Sequence, residues 1–136
     1  MSVRIGPPDV EATLIAYLAP LLSPVKVAGQ MQGNPHGAFL EVRATGGTRR
    51  DVAVFEPQVT LIAWGASPDD DAAAWQLAAD VAAHMDAAER AGWIGSVSCT
   101  SVLVVSTPYK DPDPVTGRAR YTATYRPQLR GTIRTD

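Results

Sequence analysis

Side chains that could hold a metal ion or act as a general base are few and scattered along the sequence. The two histidines, His36 and His84, stand far apart, and the residue four positions after His84 is an alanine rather than a second ligand. A structural zinc site needs about four nitrogen or sulfur ligands in close spacing, and Cys99 is the only cysteine. The sequence therefore predicts no zinc site and no catalytic histidine.

The arrangements typical of nucleophilic catalysis are also missing from the sequence. The nearest match to the G-x-S-x-G elbow is Gly95-Ser96-Val97-Ser98, which lacks the second glycine. Cys99 falls in a β-branched stretch, where a thiol is usually a small buried apolar group. We predict that the protein is not an enzyme. The alternative of an enzymatic or small-molecule-binding α+β domain would require polar groups that converge in an apolar pocket.

Two groups of aspartates could bind a cation, but each has a simpler explanation. Asp111 and Asp113 are interleaved with prolines and lack the distal glutamate of a calcium loop. Asp69, Asp70 and Asp71 complement the positive end of a helix dipole. The glycine pair at 46–47 lies between predicted strands rather than before a helix, so it is not a phosphate-binding loop. We therefore expect neither a metal nor a cofactor.

Arginines near the end of the sequence form its most regular charged pattern. Residues 107–136 hold six basic and three acidic residues, whereas residues 69–89 hold six acidic residues and no lysine or arginine. Guanidinium groups grip phosphates or pair with carboxylates. Because the tyrosines of the same stretch point the other way, a stacking platform for single-stranded nucleic acid is poorly supported. We interpret the row as a protein-contact surface on one face of the last strand, made of Arg118, Arg120, Arg126 and Arg130.

Two helices are predicted to position these side chains. Residues 9–22 place apolar residues at helical spacing, with Asp9 as the cap. A second, alanine-rich helix over residues 68–91 is predicted to begin with Ser67 as the cap and Pro68 in the first position. Gly92 is expected to end it in the left-handed conformation.

The remaining segments alternate like β-strands. Residues 38–64 read as a hairpin with Gly46 and Gly47 at its tip, and its second arm carries a proline that requires an edge or a bulge. The other expected elements are a short strand at 25–27, a polar loop at 30–37, a strand at 96–107, a proline-rich loop at 108–117 and a last strand at 119–129. This order predicts an α+β two-layer sandwich, in which two helices pack on a mainly antiparallel sheet of about four to five strands.

Length and composition agree with one domain over residues 1–136, since 46% of the residues are hydrophobic and a chain of this size can bury its own core. No apolar stretch reaches the ~18 to 20 residues that span a membrane, and the first residues do not resemble a signal peptide. We therefore expect no membrane partner and synthesis in the cytoplasm. The net charge of −2 argues against a surface built to hold nucleic acid.

Two strings of residues carry a resemblance to a known family. Residues 57–65 (PQVTLIAWG) run into the alanine-rich helix, and residues 113–121 (DPVTGRARY) precede a strand that closes with Leu129-Arg130-Gly131. This order resembles the small tail-terminator, or minor tail, proteins of long-tailed bacteriophages, over residues 9–131. Pro127 and the prolines of residues 108–114 depart from the family pattern.

The resemblance implies a virion protein that joins tail to head and is made in a host bacterium. Such proteins assemble as a homohexameric ring that caps the head-proximal end of the tail tube. The expected partners are further copies, the tail-tube protein and the head connector or head-closure protein, while genome DNA passes through the ring without specific binding. A neighbouring neck component, either a head-closure or a tail-completion protein, is the nearest alternative. The implied contact surfaces are the arginine face with Asp111 and Asp113, the acidic helix start at Asp69, Asp70 and Asp71, and the tip at Gly46 and Gly47.

Overall fold

A computed structural model describes residues 3–29 and 37–135. The predicted α+β class is confirmed, but a sheet of four to five strands is an underestimate, since one sheet has six strands and a second has two. The predicted loop at residues 30–37, with His36, lies outside the described residues except for Gly37. In chain order, the elements are β1 (Val3–Gly6), α1 (Val10–Leu22), β2 (Lys26–Ala28), β3 (Phe39–Arg49), β4 (Val54–Trp64), α2 (Asp71–Ala91), β5 (Trp93–Ile94), β6 (Val97–Lys110), β7 (Arg120–Arg130) and β8 (Thr132–Thr135).

The larger sheet has the strand order β2-β3-β4-β7-β6-β5, and only β2 and β3 run parallel. Both helices contribute to one apolar core on one side of this sheet. On the other side, a smaller cluster is formed by Phe39, Ile62 and Trp64. The core residues that are most fully enclosed include Leu14, Leu18, Leu40, Val42, Val59, Val81, Met85, Tyr125 and Leu129.

The two helices form largely where the sequence predicts them. Asp9 caps α1 by accepting a hydrogen bond from the Ala12 amide at 3.1 Å. Gly92 ends α2 with φ of 82°. The predicted start of α2 at residue 68 is wrong, because the Ser67 carbonyl accepts from the amides of Asp70 and Ala119 and holds the preceding residues in a turn. Asp70 rather than Ser67 therefore occupies the cap position.

The hairpin of β3 and β4 is confirmed, but its tip does not lie at Gly46 and Gly47. The pairing of the strands shifts between Ala44 and Gly47, so the two glycines belong to a bulge within β3, and Pro57 lies opposite Gly47. The bulge required by the proline is thus present. The turn itself follows at residues 50–53, where the Asp51 carboxylate accepts from the amide of Ala53 and from that of Val54, the first residue of β4.

The last two long strands differ from the prediction mainly at one end. β6 continues through residues 108–110, which were predicted to begin the loop, and the connection to β7 covers residues 111–119. The alternation predicted for the last strand is confirmed, since Ala123, Tyr125 and Leu129 enter the core. β7 lies between β4 and β6. Both of its edges are therefore paired inside the sheet.

Candidate interaction surfaces

Arg118, the first residue of the predicted arginine row, is inside the molecule. Its side chain is 6% exposed, and the guanidinium donates to the Gly65 carbonyl at 2.7 and 3.0 Å and to the Gly37 carbonyl at 3.1 Å. It also lies over the stacked rings of Phe39 and Trp64. The prediction that this arginine projects from the surface is wrong. Its role in the structure is to tie together the segments that precede β3, α2 and β7.

Arg120 pairs with acidic residues of its own chain. Its Nη2 lies 3.2 Å from Asp111 Oδ2 and its Nη1 lies 3.9 Å from Asp113 Oδ1, while the guanidinium lies over the Trp64 ring. The Thr116 hydroxyl, which donates to Asp113, is the main cause that lowers the pKa of that carboxyl, and Arg120 adds to the effect. Residues that the sequence assigned to one contact surface therefore pair with one another within the chain.

The last two arginines of the row differ in environment. Arg126 Nη2 donates to Gln58 Oε1 at 2.8 Å, and its buried Nε has no hydrogen-bond partner in the described part of the chain. Arg130 is exposed. The row fails as a single exposed surface because β7 is a central strand, and the side chains of β4 and β6 flank its arginines.

The acidic start of α2 is also partly engaged within the chain. Asp71 accepts from Lys110 Nζ at 2.9 Å, and this hydrogen bond is the main cause that raises the pKa of the lysine. Asp70 accepts from the Ala66 amide at 3.1 Å. Asp69 is exposed. Of the residues predicted to form contacts, the charged ones that the structure leaves exposed are Asp69 and Arg130, and Gly46 and Gly47 are exposed as well.

A surface that the sequence analysis missed runs along β6. Val97 and Ser98 pair with β5, but no strand in residues 3–29 or 37–135 pairs with the outer edge of β6 from Cys99 to Lys110. Large apolar side chains remain exposed along this edge. Trp75 of α2 is exposed as well. Its ring contacts Tyr121, so it lies on the face of the sheet that carries the helices. We call this surface the β6 strip, and define it as Trp75, Leu103, Val104, Val105 and Tyr109.

Charged residues of both signs border the β6 strip. At the start of α2, Asp71 contacts Lys110 at the end of β6. Near the end of α2, Glu89 accepts a hydrogen bond from the Val102 amide at 2.8 Å. The helix therefore runs alongside β6 in the opposite direction. Helical spacing places Asp86, three residues before Glu89, on the same side of α2, where it forms an ion pair with Arg90 at 3.1 Å. The apolar run at 102–105 was a signal available in the sequence, because an unbroken apolar run predicts a strand covered on both faces.

A second exposed apolar surface lies on the small sheet of β1 and β8, which we call the β1–β8 ribbon. The register places Ile5 opposite Ile133, with Val3 on the same face. Val3 is 65% exposed and Ile133 is 71% exposed. On the other face, Arg4 lies opposite Arg134. The ribbon therefore has one apolar and one basic face.

Features that could support chemistry are sparse in the described structure. A shallow groove of about 210 Å³ has one titratable side chain, Arg130, and its volume lies below the ~300 to 1,000 Å³ typical of small-molecule sites. Within residues 3–29 and 37–135, no three His, Cys, Asp or Glu side chains come together as metal ligands. Burial raises the pKa of the Cys99 thiol. The groove is lined by Trp93, Ser96, Val97, Ser98, Arg130, Gly131 and Thr132.

Comparison with known proteins adds no family assignment. The chain matches no protein-family model, and no curated protein matches it. None of the helices in the described ranges is both long and apolar enough to cross a membrane. The function therefore has to be inferred from the two exposed apolar surfaces and from the resemblance carried by residues 57–65 and 113–121.

Proposed function

We propose that this protein is a structural virion subunit that forms a ring on the head-proximal end of a phage tail tube. The ring ends tube growth and offers a surface to the head connector. The observation that carries the proposal is the β6 strip, because an open strand edge with apolar side chains on both faces is unfavourable in water unless a protein covers it. The resemblance to tail-terminator proteins supplies the kind of assembly.

The positions of the exposed surfaces support a ring. A head-to-tail contact joins one surface of a copy to a different surface of the next copy. Such contacts form a closed ring when a whole number of the rotations between neighbouring copies makes a full turn. The β6 strip and the β1–β8 ribbon provide two such surfaces in one small subunit. The hexameric count follows from the resemblance, as does the expectation that genome DNA passes through without specific contacts. Asp69 and Arg130, both exposed, remain candidates for contacts with neighbouring copies.

The direct test is to add the purified protein to growing tail tubes and to measure tube length and end structure by negative-stain electron microscopy. We expect a cap at one end and arrested growth. The Leu103→Asp variant should lose capping, since a carboxylate in the β6 strip opposes burial. Val115→Asp is the matched control, because Val115 is an exposed valine in the loop at 111–119, outside both apolar surfaces.

Tubes that keep growing without caps in the presence of the wild-type protein would contradict the proposal. Binding to a portal or adaptor protein in the same preparation, with no effect on tubes, would instead identify a head-closure or tail-completion protein. Val115→Asp must behave as the wild-type protein for the effect of Leu103→Asp to be assigned to the strip.

A further inference from the structure

Short flanking strands leave two edges of the six-stranded sheet open. β2 pairs with β3 at residues 39–41, and β5 pairs with β6 at residues 97–98. Beyond those positions, no strand in the described part of the chain pairs with the outer side of β3 or of β6. An open edge presents backbone N–H and C=O groups to which a strand of another molecule can add. Each edge therefore needs protection while the subunit is alone.

Each helix places a glutamate against the open part of one edge. Glu89, near the end of α2, accepts a hydrogen bond from the Val102 amide of β6 at 2.8 Å. Glu11, in the first turn of α1, accepts from the Ala44 amide of β3, also at 2.8 Å. A strand added to either edge would bring a backbone carbonyl to the same amide. The two carboxylates thus occupy positions that an added strand needs.

Glu89 contacts the part of β6 that is best suited to strand addition. The longest uninterrupted register between β6 and β7 covers residues 101–104, because the pairing shifts on both sides of it. Val102 lies within this regular stretch. Further along the edge, Pro108 has no backbone N–H to offer. Bulges and prolines are common means of preventing edge pairing, and the carboxylate protects the stretch that they leave regular.

The hydrogen bond closes the backbone edge without covering the side chains around it. Leu103, Val104 and Val105 remain half-exposed beside the protected amide. A partner that packs on the β6 strip through side chains leaves the bond between Glu89 and Val102 in place. A strand that pairs with the edge has to displace the carboxylate first. The contact therefore discriminates between two ways of covering the same surface.

We infer that Glu89 protects the open edge of β6 against strand addition and thereby restricts the β6 strip to contacts through side chains. Glu11 has the same role at the edge of β3. The inference goes beyond the proposed function and does not depend on it, since it concerns the subunit before any assembly. Both of its consequences are measured on the purified protein without tail tubes.

Amide hydrogen exchange followed by nuclear magnetic resonance tests the hydrogen bond itself. We expect the Val102 amide to exchange at least about tenfold faster in Glu89→Ala than in the wild-type protein, because an edge amide without an acceptor is open to water. Glu89→Gln keeps a side-chain oxygen that can accept, so its Val102 amide should exchange more slowly than that of Glu89→Ala. Equal exchange rates in the wild-type protein and Glu89→Ala would overturn the inference.

Asp86→Ala is the matched control for the loss of charge. Asp86 lies on the same side of α2 as Glu89, but its carboxylate pairs with Arg90 at 3.1 Å. This variant should therefore keep the wild-type exchange rate at Val102. An Asp86→Ala rate as fast as that of Glu89→Ala would show that charge, rather than the hydrogen bond, slows the exchange, and would also overturn the inference.

Light scattering across a range of concentrations measures the consequence for association. We expect Glu89→Ala to reach a mass at least about twofold above that of the wild-type protein at the same concentration, because its open edge can pair with the edge of another copy. Asp86→Ala should keep the wild-type mass. Adding Leu103→Asp to Glu89→Ala places a charge beside the opened edge and should abolish the increase.

The mass measurements can contradict the inference in three ways. These are a Glu89→Ala mass equal to that of the wild-type protein, an equal increase in Asp86→Ala, and an increase that persists when Leu103→Asp is added. In the last case, association would not use the edge of β6. Glu89 is exposed and alanine favours helices, so α2 should be retained, and circular dichroism of each variant checks this.

Discussion

At the residue scale, the buried Arg118 shows how a charge is accommodated inside this small domain. Removing a guanidinium from water is costly unless its N–H groups find acceptors. Here the carbonyls of Gly65 and Gly37 accept them, and the rings of Phe39 and Trp64 face the cation. The same side chain thereby satisfies the buried carbonyl of Gly65, which would otherwise lose this donor.

Replacing Arg118 should therefore weaken the whole fold. We expect Arg118→Ala to lower the free energy of unfolding by about 2 to 4 kcal/mol, because it leaves the buried Gly65 carbonyl without this donor and removes contacts with two aromatic rings. Arg130→Ala is the matched control from the same strand region, and it should change the value by less than about 0.5 kcal/mol because Arg130 is exposed. Urea denaturation followed by circular dichroism measures both, and equal effects of the two substitutions would refute the assignment.

The arginine row also marks the limit of prediction for single residues. The alternation of residues 119–129 was enough to predict which side chains enter the core, because alternation is a local property of a strand. It could not reveal that β7 pairs on both edges, since strand order depends on residues far apart in the chain. For the same reason, the pairing of Arg120 with Asp111 and Asp113 was not foreseen, although all three residues were singled out.

At the element scale, the bulge in β3 is the least replaceable feature of the hairpin. Gly46 and Gly47 have φ of 95° and 131°, a region in which side chains are disfavoured. Around Gly46 there is open space, whereas a Cβ at Gly47 would lie 2.6 Å from the Pro57 Cα and 2.7 Å from the Gln58 amide nitrogen. The two glycines thus differ in packing while sharing a requirement for positive φ.

This difference predicts unequal effects of the same substitution. Gly46→Ala should lower the free energy of unfolding by about 1 to 2 kcal/mol, the usual cost of placing alanine at positive φ. Gly47→Ala adds a clash with the backbone of β4 and should cost more than Gly46→Ala by at least about 1 kcal/mol. Thermal or urea unfolding of the two variants gives the comparison. If Gly47→Ala proved the milder substitution, the bulge would not have the described geometry.

Local signals explain which elements the sequence could predict. Asp9 and Gly92 mark helix ends through contacts within a few residues, so both were found. A pair of glycines suits a turn as well as a bulge, and the sequence alone does not distinguish the two conformations. The structure does, because it places Pro57 opposite Gly47. β1 and β8 are four residues long and pair across the full length of the chain. No local pattern predicts such a pair.

At the scale of the whole molecule, burial of a thiol links stability to pH. Cys99 lies in the core, and burial is the main cause that raises the pKa of its thiol. The folded protein therefore holds the thiol proton more tightly than the unfolded chain does. This contribution to stability is present in full below the ordinary thiol pKa of about 8.5 and is lost as pH rises through the higher pKa of the folded state.

We expect the free energy of unfolding to fall between pH 8 and pH 10, and to fall less steeply in the Cys99→Ala variant. The comparison concerns the slopes, since the smaller side chain also lowers stability at every pH. Burial raises the pKa of Tyr17 and Tyr125 as well, and these phenols add to the fall only near the upper end of the range in both proteins. Urea titrations at fixed pH values measure the slopes, and parallel curves would count against the contribution of Cys99.

The functional surfaces were harder to predict than the fold. Helix caps and apolar periodicity are written into neighbouring residues, but an exposed apolar surface becomes visible only when the pairing of strands is known. The run at 102–105 was correctly assigned to a strand, and its exposure follows from the two-residue length of β5. The resemblance of residues 57–65 and 113–121 pointed to an assembly without indicating which surfaces copies would share.

The placement of the three tryptophans gives the molecule separate optical reporters. Trp64 is enclosed and stacks on Phe39 at 5.4 Å between ring centres, whereas Trp75 belongs to the β6 strip and Trp93 borders the groove beside the ribbon. Fluorescence of the folded subunit is thus the sum of one shielded and two solvated indoles. A soluble quencher would act on the latter two, and contact between copies would shield Trp75 while leaving Trp64 unchanged. Assembly and unfolding can therefore be followed separately in the same unlabelled chain.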